Sequence, residues 1–515
     1  MVNRTMEDGD LAASVEALVA AKIGNTQPGC VVGLYRGREL VHAAGFGLAE
    51  LSTGAALGAE SLFNIASTSK QFTAFALLLL AEDGAVGLED PVRRYIPELP
   101  GYADAVRLRH LLHHTAGLRD YVALWRLNGR AFSDRVEKGE TLALIAAQEA
   151  PNAPAGTDYS YNNTGYFLLS LVVERASGRS LAEFSRARIF APLGMASTVI
   201  VDRYPADLQN LAIGYSRDED GGFGVDVSRW EPTGDGQVHT TICDLQRWHD
   251  NFALAMVGGK SALAALRMPG RLDDGRLLPY AGGLEIGRFG AHPAERHSGG
   301  WAGYRSEFLR LADCDLSVAV LANRSDIDPS AIADAAARLA LDERAPESPT
   351  ERAHAGLRPG FYRNIRFTDH VAVDALDDGL VLDDGWEAQP LYIESGRIVA
   401  IEDGHLTLSG NDTELTIDSG DGWETYRPCE RWSPDTAALA NLAGRYSNGE
   451  TGLAYEIVLT DGRLTAAGPL GPLALTPQGP LTFSTDGRPA FRFEDGDLIV
   501  DIGQRVRHVR FSRQG

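Results

Sequence analysis

Three short tracts hold residue types suited to acyl transfer. In Ser67-Thr68-Ser69-Lys70 a serine stands three residues ahead of a lysine, and on a helix that spacing puts both side chains on one face. A desolvated lysine loses its proton readily and can take the proton of a serine hydroxyl. The chain uses 44 arginines and only 4 lysines, so Lys70 stands out as suited to a task that an always-charged guanidinium cannot perform. A helix N-terminus beneath Ser67 also favours developing negative charge. The competing readings are compositional drift for the lysine and helix capping for the serine.

The second tract, Tyr159-Ser160-Tyr161-Asn162-Asn163-Thr164-Gly165-Tyr166, offers a phenol at Tyr161 and an amide at Asn163. A neighbouring lysine lowers a phenol pKa and lets it share the role of base. The third, His297-Ser298-Gly299-Gly300-Trp301-Ala302-Gly303-Tyr304, reads as an edge strand with its turn. Its glycines allow a substrate backbone to approach, and the Gly300 amide can join the Ser67 amide as an oxyanion hole. Taken singly, the second tract is a turn with packed aromatics and the third a structural histidine.

In this order, Ser-x-x-Lys, then Tyr-x-Asn about ninety residues on, then His-x-Gly, the chain resembles the penicillin-recognising serine hydrolases. That superfamily contains class C β-lactamases, D-alanyl-D-alanine carboxypeptidases, related esterases and D-stereospecific aminopeptidases. His113-His114-Thr115-Ala116-Gly117-Leu118, Phe190-Ala191-Pro192-Leu193-Gly194-Met195, Gly234-Asp235-Gly236 and Asp244-Leu245-Gln246-Arg247-Trp248 agree, and the resemblance covers most of residues 12 to 340. Within the superfamily the chain most resembles bacterial D-aminopeptidases, through Ser67 to Thr73, Gly117-Leu118-Arg119-Asp120-Tyr121 and Tyr159-Ser160-Tyr161. The resemblance implies that Ser67 is the nucleophile, that Lys70 and Tyr161 activate it, and that Asn163 and His297 place substrate and water. It further implies an oxyanion hole from the Ser67 and Gly300 amides, and a catalytic domain followed by two eight-stranded barrels. His-x-Gly in place of Lys-Thr-Gly removes a cation from the carboxylate-binding strand, which argues against β-lactam or C-terminal carboxylate recognition. In D-aminopeptidases a loop of the last barrel enters the cleft; here the corresponding Ser484-Thr485-Asp486-Gly487-Arg488-Pro489 reads as a tight turn. Asp486 is either a partner for a substrate ammonium or an ordinary hairpin aspartate.

The expected activity is therefore a serine hydrolase without cofactor or metal, acting on D-amino-acid amides or short peptides with an N-terminal D-residue. A carboxylesterase on the same fold is the alternative in chemistry, and a small-ligand-binding protein with a vestigial hydrolase domain is the alternative in class.

The elements that must position these residues are legible in outline. Gln71 to Asp83 reads as a helix buried on most sides. Val31 to Tyr35 and Leu40 to Gly45 read as a hairpin, and Leu316 to Leu321 as a further strand. The fold expected is α+β: a β-lactamase/DD-peptidase-like domain over residues 1–345, with an antiparallel sheet flanked by helices. Two antiparallel β-barrel domains over 346–432 and 433–515 follow a linker at Ala345 to Thr350. Turn signals at Asp378-Gly379, Ser395-Gly396, Asp403-Gly404, Asp461-Gly462 and Asp486-Gly487 punctuate them. Gly360-Phe361-Tyr362-Arg363-Asn364 is echoed by Gly444-Arg445-Tyr446-Ser447-Asn448, which suggests two related modules.

Composition narrows the setting. A formal charge of −22 argues against nonspecific nucleic-acid or anionic-membrane binding. The apolar run Ala74 to Ala81 is far short of a membrane span, and Leu11, Val15, Leu18 and Val19 recur at amphipathic-helix spacing. Four scattered cysteines with no metal-ligand spacing fit thiols in a reducing compartment. The expectation is a cytoplasmic protein whose partner is a small-molecule or short-peptide substrate, with a homodimer possible.

Overall fold

Val31, Val32, Leu34 and Tyr35 are buried on both sides of strand β1 (Cys30–Arg36), because helices cover both faces of the sheet to which it belongs. The structure is a computed structural model that describes residues 8–204, 207–343, 349–384, 388–394, 396–400, 406–419, 423–485 and 489–515. β1 pairs with β2 (Glu39–Phe46) as a hairpin and on its other side with β6 (Leu316–Ala322). Beyond β6 lie β5 (Tyr304–Leu311), β4 (His292–Trp301) and β3 (Glu285–Phe289), all antiparallel, so both ends of the domain complete one six-stranded sheet.

One face packs on helix α1 (Asp8–Ala20), through Leu11, Val15 and Val19, and on α4 (Pro329–Leu341), through Ile332, Ala333 and Ala336. The other face holds the larger core, which includes α2 (Lys70–Glu82) and α3 (Asn163–Ser177). Every residue of α2 from Lys70 to Leu80 is buried, which explains its lack of a polar stripe.

After residue 349 the described structure is almost entirely β. An eight-stranded closed barrel runs from Gly444–Ser447 to Val506–Arg513. Ahead of it, a nine-stranded sheet runs from Gly360 to Cys429, where an eight-stranded barrel was expected. The extra strand arises because one segment changes partners at Leu391, whose amide bonds the Leu380 carbonyl while its own carbonyl accepts the Ala353 amide. Ala388–Pro390 pairs with one edge and Tyr392–Glu394 with the other, so the barrel is nearly closed. The repeat is structural as well. Tyr362 and Tyr446 are both buried in the first strand of their sheets, and each hydroxyl donates to the carbonyl four residues earlier, Arg358 and Leu442.

Asp378-Gly379 and Asp461-Gly462 form hairpin turns. The turns at Ser395-Gly396, Asp403-Gly404 and Asp486-Gly487, and most of the linker at 345–350, lie wholly or partly outside the described residues. No described helix is long and apolar enough to cross a membrane. All four cysteines are unpaired; Cys30 is buried and the others are half-buried.

Candidate active site

Asn64 starts the site by accepting the Ala66 amide on its side-chain oxygen at 2.8 Å. This bond accompanies a positive φ of 50° at Ala66, an uncommon conformation for a residue with a β-carbon. The chain then makes a 3₁₀ turn, Ala66–Ser69, that runs into α2. Three residues per turn eclipse Ser67 and Lys70, and Lys70 Nζ lies 3.0 Å from Ser67 Oγ. The sequence suggested an α-helical first turn; the tighter turn aligns the pair more directly. Ser67 is not the helix cap, since no side chain caps this terminus.

Lys70 is fully buried. Its amine also reaches Asn163 Oδ1 at 2.9 Å and the Asp235 carbonyl at 2.8 Å, and it lies 4.8 Å from the centre of the Tyr161 ring. Gly234 takes φ 103°, and a β-carbon there would meet the Tyr166 carbonyl at 2.3 Å, so only glycine fits ahead of Asp235. The Asp235 carboxyl accepts from Tyr121 Oη at 2.8 Å, while its other oxygen is buried without a partner among the described residues. Burial pushes this carboxyl up to about 6 despite the Lys70 charge.

Tyr161 and Asn163 sit where the chain enters α3. Asn162 caps that helix by accepting the Gly165 amide, and the Asn163 amide donates to Asp120 Oδ2 at 2.7 Å. The Tyr161 ring packs against His114, with centroids 4.4 Å apart. His114 Nδ1 accepts from the Asn162 amide, and burial with Lys70 nearby holds this imidazole neutral, well below the ordinary histidine range.

Strand β4 forms the opposite wall. β3 pairs only with residues 292–296, so β4 is not the sheet edge throughout, but it becomes one from His297 to Trp301. A β-carbon at Gly299 would lie 2.4 Å from the Ile65 carbonyl and 3.0 Å from Ala66 Cβ. That close approach seats β4 on the turn carrying Ser67. Thr68 Oγ1 reinforces it by donating to the His297 carbonyl at 3.0 Å. His297 is pushed down to about 3 by burial and by Lys70. Its Nδ1 lies 2.6 Å from the Ser298 carbonyl, which can only accept. The ring proton is therefore on Nδ1, and Nε2 accepts from Tyr280 Oη at 2.9 Å.

Ser67, Tyr161, Asn163, His297 and Gly300 line one cleft of about 1080 Å³, with Lys70 beneath it. Asp486 lies outside the described residues. The last barrel nevertheless reaches this cleft through other turns: Leu470, Ile502 and Arg505 all line it. The Arg505 guanidinium lies over the Tyr161 ring at 5.1 Å. Sequence reasoning passed over Arg505, Tyr280 and the role of Asp235. Of these only Asp235 carried a signal, its flanking glycines.

Among the described residues one group could hold a metal, His292, Asp313 and Cys314. His292 Nδ1 is within 3.0 Å of both partners, and burial with the Asp313 charge pushes the Cys314 thiol up to about 11, so these groups satisfy one another as hydrogen-bond partners. The cleft itself gathers a hydroxyl beside a buried amine, a phenol, and two backbone segments at an open strand edge. That set suits nucleophilic attack on a carbonyl and stabilisation of the oxyanion.

The chain is similar to several known proteins. A family model described as Beta-lactamase matches residues 13–343. Penicillin-binding protein 4* of Bacillus subtilis (strain 168) is 30% identical over 388 residues, covering 71% of this chain and 83% of that protein. A D-aminopeptidase of Gluconobacter oxydans (strain 621H) is 29% identical over 313 residues, covering 61% of this chain. The match spans only 58% of that D-aminopeptidase's own length. The octameric penicillin-binding protein homologue from Pyrococcus abyssi has a similar fold, with a TM-score of 0.59 at 22% identity over 82% of this chain and all of that one.

Proposed function

The chain belongs to the Beta-lactamase family and is a serine hydrolase, and we propose that it releases N-terminal D-amino acids from D-amino-acid amides or short peptides through an acyl-enzyme on Ser67. The observation that carries this reading is the 3.0 Å contact between Ser67 Oγ and the amine of a fully buried lysine. Asn163 Oδ1 and the Asp235 carbonyl accept from the Lys70 amine and hold it beside the Ser67 hydroxyl, where the amine in its neutral form can take the serine proton.

In the reaction, Ser67 Oγ attacks the carbonyl carbon as its proton passes to Lys70. The Ser67 and Gly300 amides receive the oxyanion. Collapse breaks the bond to the leaving amine, which takes a proton from the Lys70 and Tyr161 pair. The same pair then removes a proton from water, whose attack on the ester frees the D-amino acid and returns the proton to Ser67. The preference for D-residues rests on similarity to D-aminopeptidases. A cytoplasmic site of action belongs to the same reading, supported by four unpaired cysteines.

Turnover of D-alanine p-nitroanilide, its L-enantiomer and p-nitrophenyl acetate tests the proposal. Cleavage of the D-anilide well ahead of the L-form supports it; fast ester turnover without D-anilide cleavage overturns it in favour of an esterase. Intact-mass detection of a phosphonate adduct, lost in Ser67→Ala and kept in Ser69→Ala, identifies the nucleophile.

A further inference from the structure

The removal of a cation from strand β4 does not leave the cleft without one. In a chain of net charge −22, the lining holds Arg126, Arg130, Arg305 and Arg505 against Asp120, Asp226 and Glu285. Arg305 donates to the Ala302 and Tyr304 carbonyls, while Arg126 covers Phe132 and Arg130 covers Trp125. Arg505 is set apart by position: its guanidinium lies 5.1 Å over the ring of Tyr161, beside Lys70, makes no hydrogen bond among the described residues, and its side chain is 36% exposed.

Its nearest carboxylate is Asp120, at 3.9 Å. Both oxygens of Asp120 already accept backbone amides, those of Ala123 at 3.0 Å and Asn163 at 2.7 Å. Asp120 therefore offsets part of the Arg505 charge without occupying its donors. The position of Arg505 is fixed by its backbone. Its carbonyl accepts from the Asp120 amide at 2.9 Å and from Asn152 Nδ2 at 2.9 Å. Asn152 Oδ1 in turn accepts the Arg507 amide at 2.8 Å. The catalytic domain thus holds this barrel turn rigidly, with an undercommitted planar fork above Tyr161.

A guanidinium in that state matches a carboxylate, which can take two parallel N–H bonds, and repels an ammonium. We propose that Arg505 is a specificity-determining subsite for a carboxylate of the substrate, so that the serine-hydrolase reading, on which this rests, narrows to short D-peptides carrying a free carboxylate. The carboxylate belongs either to the C-terminus of the leaving residue or to the side chain of an acidic acyl residue.

Two substrate pairs distinguish these sources: D-alanyl-D-alanine against D-alanyl-D-alaninamide, and D-glutamyl against D-glutaminyl p-nitroanilide. In one pair kcat/KM is expected to favour the carboxylate by about tenfold or more, chiefly through KM. That preference collapses towards parity in Arg505→Gln and survives in part in Arg505→Lys. Absence of preference in both pairs, or its persistence in Arg505→Gln, overturns the inference. A phosphonate label on Ser67 verifies that each variant keeps an intact site. Labelled enzyme with no carboxylate preference defeats this inference and leaves the hydrolase reading standing. If the wild type neither labels nor turns over, the hydrolase reading fails. Calorimetry of the same ligands with Ser67→Ala and Ser67→Ala/Arg505→Gln then decides the carboxylate subsite alone: equal affinities for acid and amide overturn it.

Discussion

Gly299 lies so close to Ile65 that a β-carbon on it would stand 2.4 Å from the Ile65 carbonyl oxygen. The Ser306 hydroxyl would be equally near, and it already donates to that same carbonyl. Backbone cannot yield cheaply here, so Gly299→Ala must push β4 away from the turn bearing Ser67. The expected result is a loss of about 1–3 kcal/mol in unfolding free energy together with at least a tenfold fall in kcat. At Gly300 a β-carbon meets nothing nearer than 3.6 Å, and Gly300→Ala is expected to cost less than about 0.5 kcal/mol in stability. Urea unfolding of the two variants checks the contrast; equal destabilisation would show that the contact at Gly299 does not position the turn.

Lys70→Arg keeps a cation at this position and is expected to remove function. Lys70 is fully buried, and Ser67, Asn163 and the Asp235 carbonyl lie against its point-like amine. A guanidinium is larger, planar and never gives up its proton at neutral pH. Hydrolysis of the best substrate is expected to fall at least a thousandfold, or about 4 kcal/mol in barrier, and phosphonate labelling of Ser67 to become undetectable over hours. Substantial activity in the variant would move the role of base to Tyr161.

These two sites show which parts of the molecule are local enough to read from sequence. Ser67 with Lys70, and Tyr161 with Asn163, are spacings within single turns, so periodicity suffices. The 3₁₀ geometry at Ala66 depends on the Asn64 side chain and on β4 packing more than two hundred residues away. Asp235 meets Lys70 through a backbone carbonyl, and any residue type supplies one. Arg505 is one of 44 arginines. Its delivery follows from barrel docking, in which the buried Arg119 donates to the Arg507 and His508 carbonyls. Such main-chain contacts leave no pattern in the sequence. The barrel repeat is visible because matching tyrosine side chains carry it, whereas the ninth strand, made by a change of main-chain partners at Leu391, is not.

Protonation gives the fold a lopsided pH profile. His297 and His239 are held neutral by burial, pushed down to about 3 and about 4. Their unfolded values lie near 6.5, so above that pH both states are neutral and the full stability is present. As pH falls from 6.5 towards 4 the unfolded chain takes up protons first, and each histidine removes up to about 3 kcal/mol near pH 4.5. Asp235 has the opposite sign. Its carboxyl is raised to about 6 from an unfolded value near 3.8. Its contribution is thus present below that unfolded value and lost as pH rises to about 6. Asp235→Asn should therefore gain on the wild type in unfolding midpoint between pH 4.5 and pH 7.5. A difference that is constant or narrows over that range contradicts the assignment.

Tyr280 governs the orientation of His297. The phenol of Tyr280 is raised well above its ordinary range by burial and by the surrounding tyrosines, so it stays a donor throughout the working pH. Because His297 Nδ1 is committed to the Ser298 carbonyl, Tyr280 Oη supplies the bond to Nε2. Tyr280→Phe keeps the ring that packs at 4.5 Å on His114 and 6.1 Å on Tyr161, and deletes only the donor. A buried acceptor left unpaired costs about 1–3 kcal/mol, and thermal unfolding should fall accordingly. With that restraint gone the imidazole can rotate on β4, and kcat is expected to drop about tenfold while KM changes little. In a double-mutant cycle with His297→Gln the two losses should be far from additive, because both remove one bond. Additive losses would mean that Tyr280 acts on the cleft by another route, through its packing on His114 rather than through His297.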